Sequence, residues 1–337
     1  MRRLISAALR LSALAVSASL LWSTGAWAQD LAAWTDGSAR KAIVAFVTAV
    51  TTPGRDFVPP DQRIAVFDND GTLWTEQPIY TEVAFSLTRA AQMAKADSKL
   101  IAQPAFAAAA SGDPKRIAAL SEKDLLQLMT ATHSGMTTEA FSAAAQAWLA
   151  TARDPRWRRA YDANVYAPML DLLAYLRGHG FKTFIVSGGD ADFMRVFAQR
   201  VYGVPPEQVI GSSSGTRLEQ HNGRWMLVRT RQMTIDDGAT KPSNIALHIG
   251  RRPIFAAGNS DGDLQMLEYT ASGPGRRMEL LVRHDDAQRE YAYDRASKVG
   301  RLDKALDEAG REGWTVVSMK GDWRTIFPAS AAPPDRH

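Results

Sequence analysis

A chain of 337 residues, 45% apolar and 23% charged, has the composition of a globular protein and enough length to bury a sizeable core. It has no cysteine, which excludes disulfide scaffolding, thiol catalysis and a lipid-attachment thiol. Its formal charge of +4 owes three units to Arg2, Arg3 and Arg10; without residues 1–28 the balance is +1, too small to suggest a nucleic-acid-binding surface.

Residues 1–28 read as a secretory signal peptide. Arg2 and Arg3 form a positive start, Leu11 to Leu21 an apolar core, and Ala26-Trp27-Ala28 a small-residue cleavage site before Gln29. The run is too short and too rich in serine for a membrane anchor. A secreted, periplasmic protein with no membrane contact after cleavage is the expectation. Oligomeric state is not legible.

Ser38 to Val50 places Ile43, Phe46, Val47 and Val50 on one helical face. Beyond Pro59-Pro60, Ile64 to Phe67 reads as a short buried strand of β-branched and aromatic residues. It runs into Asp68-Asn69-Asp70-Gly71. Side chains two apart on an extended segment point the same way, so Asp68 and Asp70 are expected to face one site and Asn69 to face away. Two like charges that close need neutralising, which a hard divalent cation with oxygen ligands does. A plain Asn-Asp-Gly surface turn is the alternative.

Phe67-Asp68-Asn69-Asp70-Gly71-Thr72-Leu73 resembles the first motif of the haloacid dehalogenase (HAD) superfamily, in the form its phosphatases carry. The resemblance implies a nucleophile at Asp68 and a general acid/base at Asp70. It also implies phosphoryl transfer, since dehalogenating members lack the second Asp. The expected fold is α/β: a three-layer Rossmann-like core with a parallel sheet, from 29–78 and 164–337, plus an all-helical cap.

From about Ile79 to Ala163 the chain is Ala-rich, helical in period and broken at Pro104, Ser111-Gly112-Asp113-Pro114, Ser134-Gly135 and Asp154-Pro155. Ser121-Glu122-Lys123-Asp124 has the form of a helix-capping start. An insertion here, 79–163, is similar to the family's C1-type cap, a lid that sets substrate choice. Glu76, Tyr80, Glu82, Arg89 and His133 are candidate pocket residues, each with a structural role as the plainer reading.

Met169 to Leu176 reads as a helix and Phe181 to Val186 as a strand, which delivers Ser187-Gly188-Gly189-Asp190 to a helix expected from Ala191 to Gly203. Strand, small-residue turn and helix N-terminus make an anion site, with free N–H groups and the Ser187 hydroxyl as donors. A simple capping serine is the alternative. The segment is similar to the second HAD motif, which implies phosphate binding at Ser187 and Gly188. Val209 to Arg229 reads as a hairpin turning at Asn222-Gly223. Lys241 matches the third motif, a lysine on the nucleophile and the phosphoryl group.

Pro253 to Ala257 reads as a buried strand ending in Gly258-Asn259-Ser260-Asp261-Gly262-Asp263. This resembles the fourth motif with one departure, Asn259 in place of the leading Asp. The third ligand to Mg²⁺, beside Asp68 and Asp70, is then Asn259, Asp261 or Asp263. Glu279 to Val282 and Thr315 to Val317 read as further strands, and His284-Asp285-Asp286 as a solvated loop or structural network.

Together these imply a Mg²⁺-dependent phosphomonoesterase acting on a small organic phosphate. The phosphoserine-phosphatase branch is the nearest in form, but its substrate-holding Glu has only the offset Glu76 as a counterpart and no cap arginine matches. A phosphotransferase using the same intermediate is one alternative. A periplasmic binding protein with a decayed site is another, suggested by Asn259.

Overall fold

The computed structural model describes residues 31–329, so the expected signal peptide and residues 330–337 lie outside the described residues. Helix α1, Ser38–Thr51, buries the face the periodicity marked, with Ala39 added to it. Strand β1, Ile64–Phe67, follows with the predicted bounds and no exposed residue. It lies between β2, Lys182–Asp190, and β5, Phe255–Gly258, parallel to both. Beyond β2 come the hairpin strands β3, Val209–His221, and β4, Arg224–Thr234. Beyond β5 come β6, Met278–Asp285, and the short β7, Ala292–Tyr293, with β8, Thr315–Ser318, parallel to β6.

Burial on both faces explains why β1 reads as continuously apolar. Ala65 and Phe67 join one core with residues of α1 and of α7, Ala167–Gly178. Ile64 and Val66 join another, with residues of α10, Thr240–Ile249, α11, Leu264–Ala271, and α12, Lys304–Glu312. The result is the expected three-layer α/β sandwich, mostly parallel, with Asp68 at the carboxyl end of its central strand. That end is where open α/β sheets bind ligands.

Between β1 and β2 the regular structure is helical: α2, Thr81–Ala96, α3, Pro104–Ser111, α4, Pro114–Ala118, α5, Glu122–His133, and α6, Thr138–Thr151. Ser121 and Asp124 form a full capping box at the start of α5. Ala90, Ala94, Phe106 and Leu128 make a small apolar cluster of their own, whereas Phe85, Phe141 and Leu149 belong to the main core. The insert is also tied to the hairpin, because Gly135 donates to the Arg229 carbonyl and Arg229 N–H to the Met136 carbonyl, each at 2.9 Å.

Two elements depart from expectation. The helix read from Ala191 to Gly203 is two short ones, α8, Ala191–Arg195, and α9, Ala198–Tyr202. The break falls at Phe197, whose ring stacks on Trp74 with centroids 4.5 Å apart. A contact spanning over a hundred residues overrides local helical periodicity there. The hairpin is also longer than read, with Thr234 paired to Ser213, while Asn222 and Gly223 turn with positive φ as expected.

Candidate active site

Asp68 follows β1 directly, its N–H donating to the Ala257 carbonyl of β5 at 2.9 Å, so the sheet fixes where its carboxyl group stands. Lys241, in the first turn of α10, reaches it with Nζ 2.8 Å from Asp68 Oδ1 and 2.5 Å from Asp263 Oδ1. Burial alone disfavours the ammonium, but the charges of Asp263 and Asp68 more than offset this and raise the Lys241 pKa. Burial and the nearby Asp263 push Asp68 up, against the pull of Lys241.

Asp70 sits on the same turn. Trp74 Nε1 donates to its Oδ1 at 2.8 Å, and Asn69 Nδ2 lies 3.4 Å from its Oδ2. Burial lifts its pKa to about 6 in spite of these hydrogen bonds. Asn69 turns away only in part, its Oδ1 accepting from the Tyr202 hydroxyl at 3.0 Å while its Nδ2 touches Asp70. A carboxyl group with a pKa near neutrality can both give and take a proton in turn.

The anion site expected at the helix after β2 is largely spoken for, and this corrects the reading. Asp190 Oδ1 caps α8 by accepting from the Asp192 and Phe193 N–H groups. The Asp190 N–H goes to Glu82 Oε2 and that of Gly189 to Ser187 Oγ. The Gly188 carbonyl accepts from Ser212 Oγ at 2.7 Å. The Ser187 hydroxyl and Lys241 remain open to a phosphoryl group. Ser187 Oγ and Asp70 Oδ2 border the same face of Gly189, so the second motif stands beside the first.

The fourth motif also resolves. Asp261 is turned away, its Oδ1 accepting from the Asp303 and Ala305 N–H groups at the start of α12. Asp263, expected among the metal ligands, has both oxygens engaged: Oδ1 by Lys241, Oδ2 by the Asn259 and Ser260 N–H groups at 2.9 and 3.1 Å. It holds the lysine and shapes the turn. Asn259 is left, its Oδ1 bridged to Asp68 through Thr72 Oγ1, which is 3.0 Å from it and 3.5 Å from Asp68 Oδ2.

A family model for haloacid dehalogenase-like hydrolases matches residues 65–268, all four motifs included. The chain belongs to that family. It is thus an enzyme, a hydrolase with the family's α/β core. No curated protein sequence matches it. A conserved protein of unknown function from Anaerococcus prevotii superposes with a TM-score of 0.51 at 15% identity, over 86% of this chain and 94% of its own. A Bordetella pertussis protein of unknown function gives 0.46 at 15% identity over 76% and 98%, and a phosphoserine phosphohydrolase-like protein from Francisella tularensis 0.38 at 19% over 74% and 98%. At such identities the likeness is one of fold.

Of the cap candidates, Glu76 proves not to be a lid residue. Its Oε1 accepts from Asn259 Nδ2 and from the Tyr293 hydroxyl, each at 2.7 Å. Burial pushes its pKa well up. Tyr80 OH accepts from the Gly300 N–H, and Arg89 Nε donates to the Thr132 carbonyl. Glu82, His133 and Asp190 bring ligand atoms within 4.8 Å of one another. Arg229 occupies that cluster, pairing with Asp190 and Asp192, donating to Ser214 Oγ and to the His133 carbonyl, and lying over the Phe141 ring. The cluster is a clasp between hairpin, insert and core.

His284 is the structural network, not the solvated loop. It is buried, with Nε2 2.8 Å from the Gly71 carbonyl and Nδ1 3.2 Å from Glu290 Oε2, and it stacks on Tyr293. The segment carrying Tyr293 and Gly300 therefore walls the first motif on one side. Sequence reading missed Tyr293, Glu290 and Arg229 because their partners lie far along the chain and no local pattern marks them.

Lys241 pairs with two carboxyl groups, Asp68 and Asp263, and two more, Asp70 and Glu76, lie near Asp68. That collection of carboxyl oxygens, with the side-chain oxygens of Asp68 and Asn259 linked through Thr72, suits a hard divalent cation. The donor set fits such an ion.

Proposed function

We propose that this hydrolase is a divalent-metal-dependent phosphomonoesterase that cleaves a small organic phosphate ester through an aspartyl-phosphate on Asp68. The observation that carries the proposal is a buried carboxylate 2.8 Å from a lysine ammonium, with a second carboxyl of pKa about 6 on the same turn. Asp68 attacks phosphorus in line, forming a P–O bond as the ester P–O bond breaks. Asp70, protonated, gives its proton to the departing alkoxide. It then takes a proton from water as that water attacks phosphorus. The bond to Asp68 breaks, inorganic phosphate leaves, and both carboxyl groups return to their starting states.

Lys241 and the Ser187 hydroxyl serve the phosphoryl oxygens, and the Gly188 N–H is assigned to the same task. Lys241 stays protonated through its two carboxylate partners, so it acts as a fixed charge. Asp68, Asp70 and Asn259 are the residues that would hold Mg²⁺, whose charge, when bound, offsets that on the transferring group. Export is part of the proposal, and N-terminal sequencing of the secreted protein should begin at Gln29.

The test is hydrolysis of p-nitrophenyl phosphate by protein starting at Gln29, with Mg²⁺, with EDTA, and in the Asp68→Asn variant. Turnover that needs both the metal and Asp68 supports the reading. Turnover that survives Asp68→Asn contradicts it. Should that ester prove inert, failure of beryllium fluoride to bind at Asp68 would sink the nucleophile assignment.

A further inference from the structure

The family-matched turn after β5 begins with an amide, Asn259, where a carboxylate would bring charge to a metal, and a buried carboxylate lies directly behind that amide. From this we infer that Glu76 is a positioning residue for the metal site. It turns the Asn259 carbonyl oxygen inward and, ionised beside a bound cation, supplies, one residue removed, the negative charge that Asn259 lacks. The inference rests on the metal-dependent reading above.

The amide orientation follows from its neighbours. Glu76 Oε1 already accepts from the Tyr293 hydroxyl, and Asn259 presents Nδ2 to the same oxygen, at 2.7 Å. Oδ1 then faces the opposite way, towards Thr72 Oγ1 at 3.0 Å and the Asp68 side of the site. An amide turned over would set Oδ1 against a carboxylate oxygen and Nδ2 towards the cation. Glu76 forbids that arrangement. Partners behind a ligand set its orientation and its electron density in this way at many metal sites.

The seat for Glu76 is a built one. Tyr293 OH donates to the same Oε1 at 2.7 Å, and the residue is 2% exposed. Gly71 and Gly300 press on the carboxylate from two sides, both with positive φ, and a Cβ at either position would collide with Oε1. Gly71 would also strike the Asn259 amide. Two backbone segments more than two hundred residues apart thus leave room for one carboxylate against one amide. Nothing in the proposed phosphoryl transfer uses Glu76, so its burial is otherwise a cost without return.

The test measures Mn²⁺ binding by the loss of the free-ion EPR signal, on the full chain from Gln29, with no substrate. Glu76→Gln keeps the shape and an oxygen able to accept from both Asn259 and Tyr293, and removes only the charge. It should weaken Mn²⁺ binding by about 10- to 100-fold. Adding Asn259→Asp to that variant moves the charge from position 76 to position 259 and should return binding to within a few-fold of the wild type. Tyr293→Phe, which loosens the carboxylate and leaves its charge, should weaken binding several-fold; it also carries the test if Glu76→Gln does not fold. Unchanged binding in Glu76→Gln overturns the inference alone, as does a double variant no better than the single. A wild type that binds no Mn²⁺ overturns the metal reading and the inference with it.

Discussion

Two clusters of buried charge lie near one another in this protein and are built on opposite plans. Around Asp68 a single ammonium, with three donors at most, pairs with two carboxyl groups while two more, Asp70 and Glu76, lie close by without a cation of their own. Around Asp190 a guanidinium with five donors engages two carboxylates, a hydroxyl and a carbonyl, and lies over an aromatic ring. The last acid there, Glu82, faces His133. Ser86 Oγ donates to the Glu82 carbonyl and so accepts from His133 Nε2–H, which leaves the Nδ1 lone pair towards Glu82 Oε1, 3.5 Å away. Burial raises Glu82 well above its ordinary value and lowers His133 to about 3, so it disfavours the charged form of both. One cluster closes its charges internally and fastens the insert to the core. The other leaves charge over, and charge left over is what a cation and a phosphoryl group can use.

The sharpest way to break this contrast is at the proposed nucleophile. Asp68→Asn should lower kcat by about four orders of magnitude or more while leaving the thermal transition near that of the wild type. A loss of fold comparable to the loss of rate would mean that the site is only another clasp. Next comes Asp70→Asn, expected to cost about 10²- to 10⁴-fold in kcat/KM. Because the protonated form is required for the first step, wild-type kcat/KM should decline as the pH rises through about 6, and the variant's profile should lack that limb. A variant profile identical to that of the wild type would assign the limb to another group.

At the clasp the expectation reverses. Arg229→Met leaves Asp190 without its cation and Asp192 with Arg195 alone, and should cost about 3–5 kcal/mol of stability, read from urea unfolding. Activity per folded molecule should fall far less than in Asp68→Asn. A collapse of kcat with the fold intact would move the clasp into the site.

The smallest effect belongs to Glu279, a lone buried acid outside both clusters with Oε1 unpartnered. Burial raises its pKa from 4.5 to about 7, so the native state holds its proton more tightly than the unfolded chain does. Stability from this group is therefore full below about pH 4.5 and is lost as pH rises towards 7, by at most about 3 kcal/mol. Glu279→Gln should flatten that slope; equal slopes in both proteins would show that another group sets it.

Much of this was legible before any coordinates. The bounds of β1, the buried face of α1, the Ser121 cap and the Asn222-Gly223 turn are all local patterns, and each strand bearing a motif lies at or next to the centre of the sheet. Asp68, Asp70, Ser187, Lys241 and Asn259 do converge on one place. What was not legible is pairing at a distance. Nothing near Glu76 announces Asn259 or Tyr293, nothing near Arg229 announces Asp190, and the break at Phe197 follows from Trp74. Asp263 misled because an acid on a Gly-rich turn reads as a ligand whether its oxygens are free or already taken.

The wall formed by His284, Tyr293 and Gly300 bears on how this protein can be cut and joined. Residues 65–268 carry every signature motif, yet the carboxylate beside Asn259 is seated by residues beyond them. A fragment trimmed to the matched segment would keep the chemistry on paper and lose the cradle that arranges it. In recombination between relatives, the first motif and the stretch from His284 to Gly300 should travel together as one inherited unit.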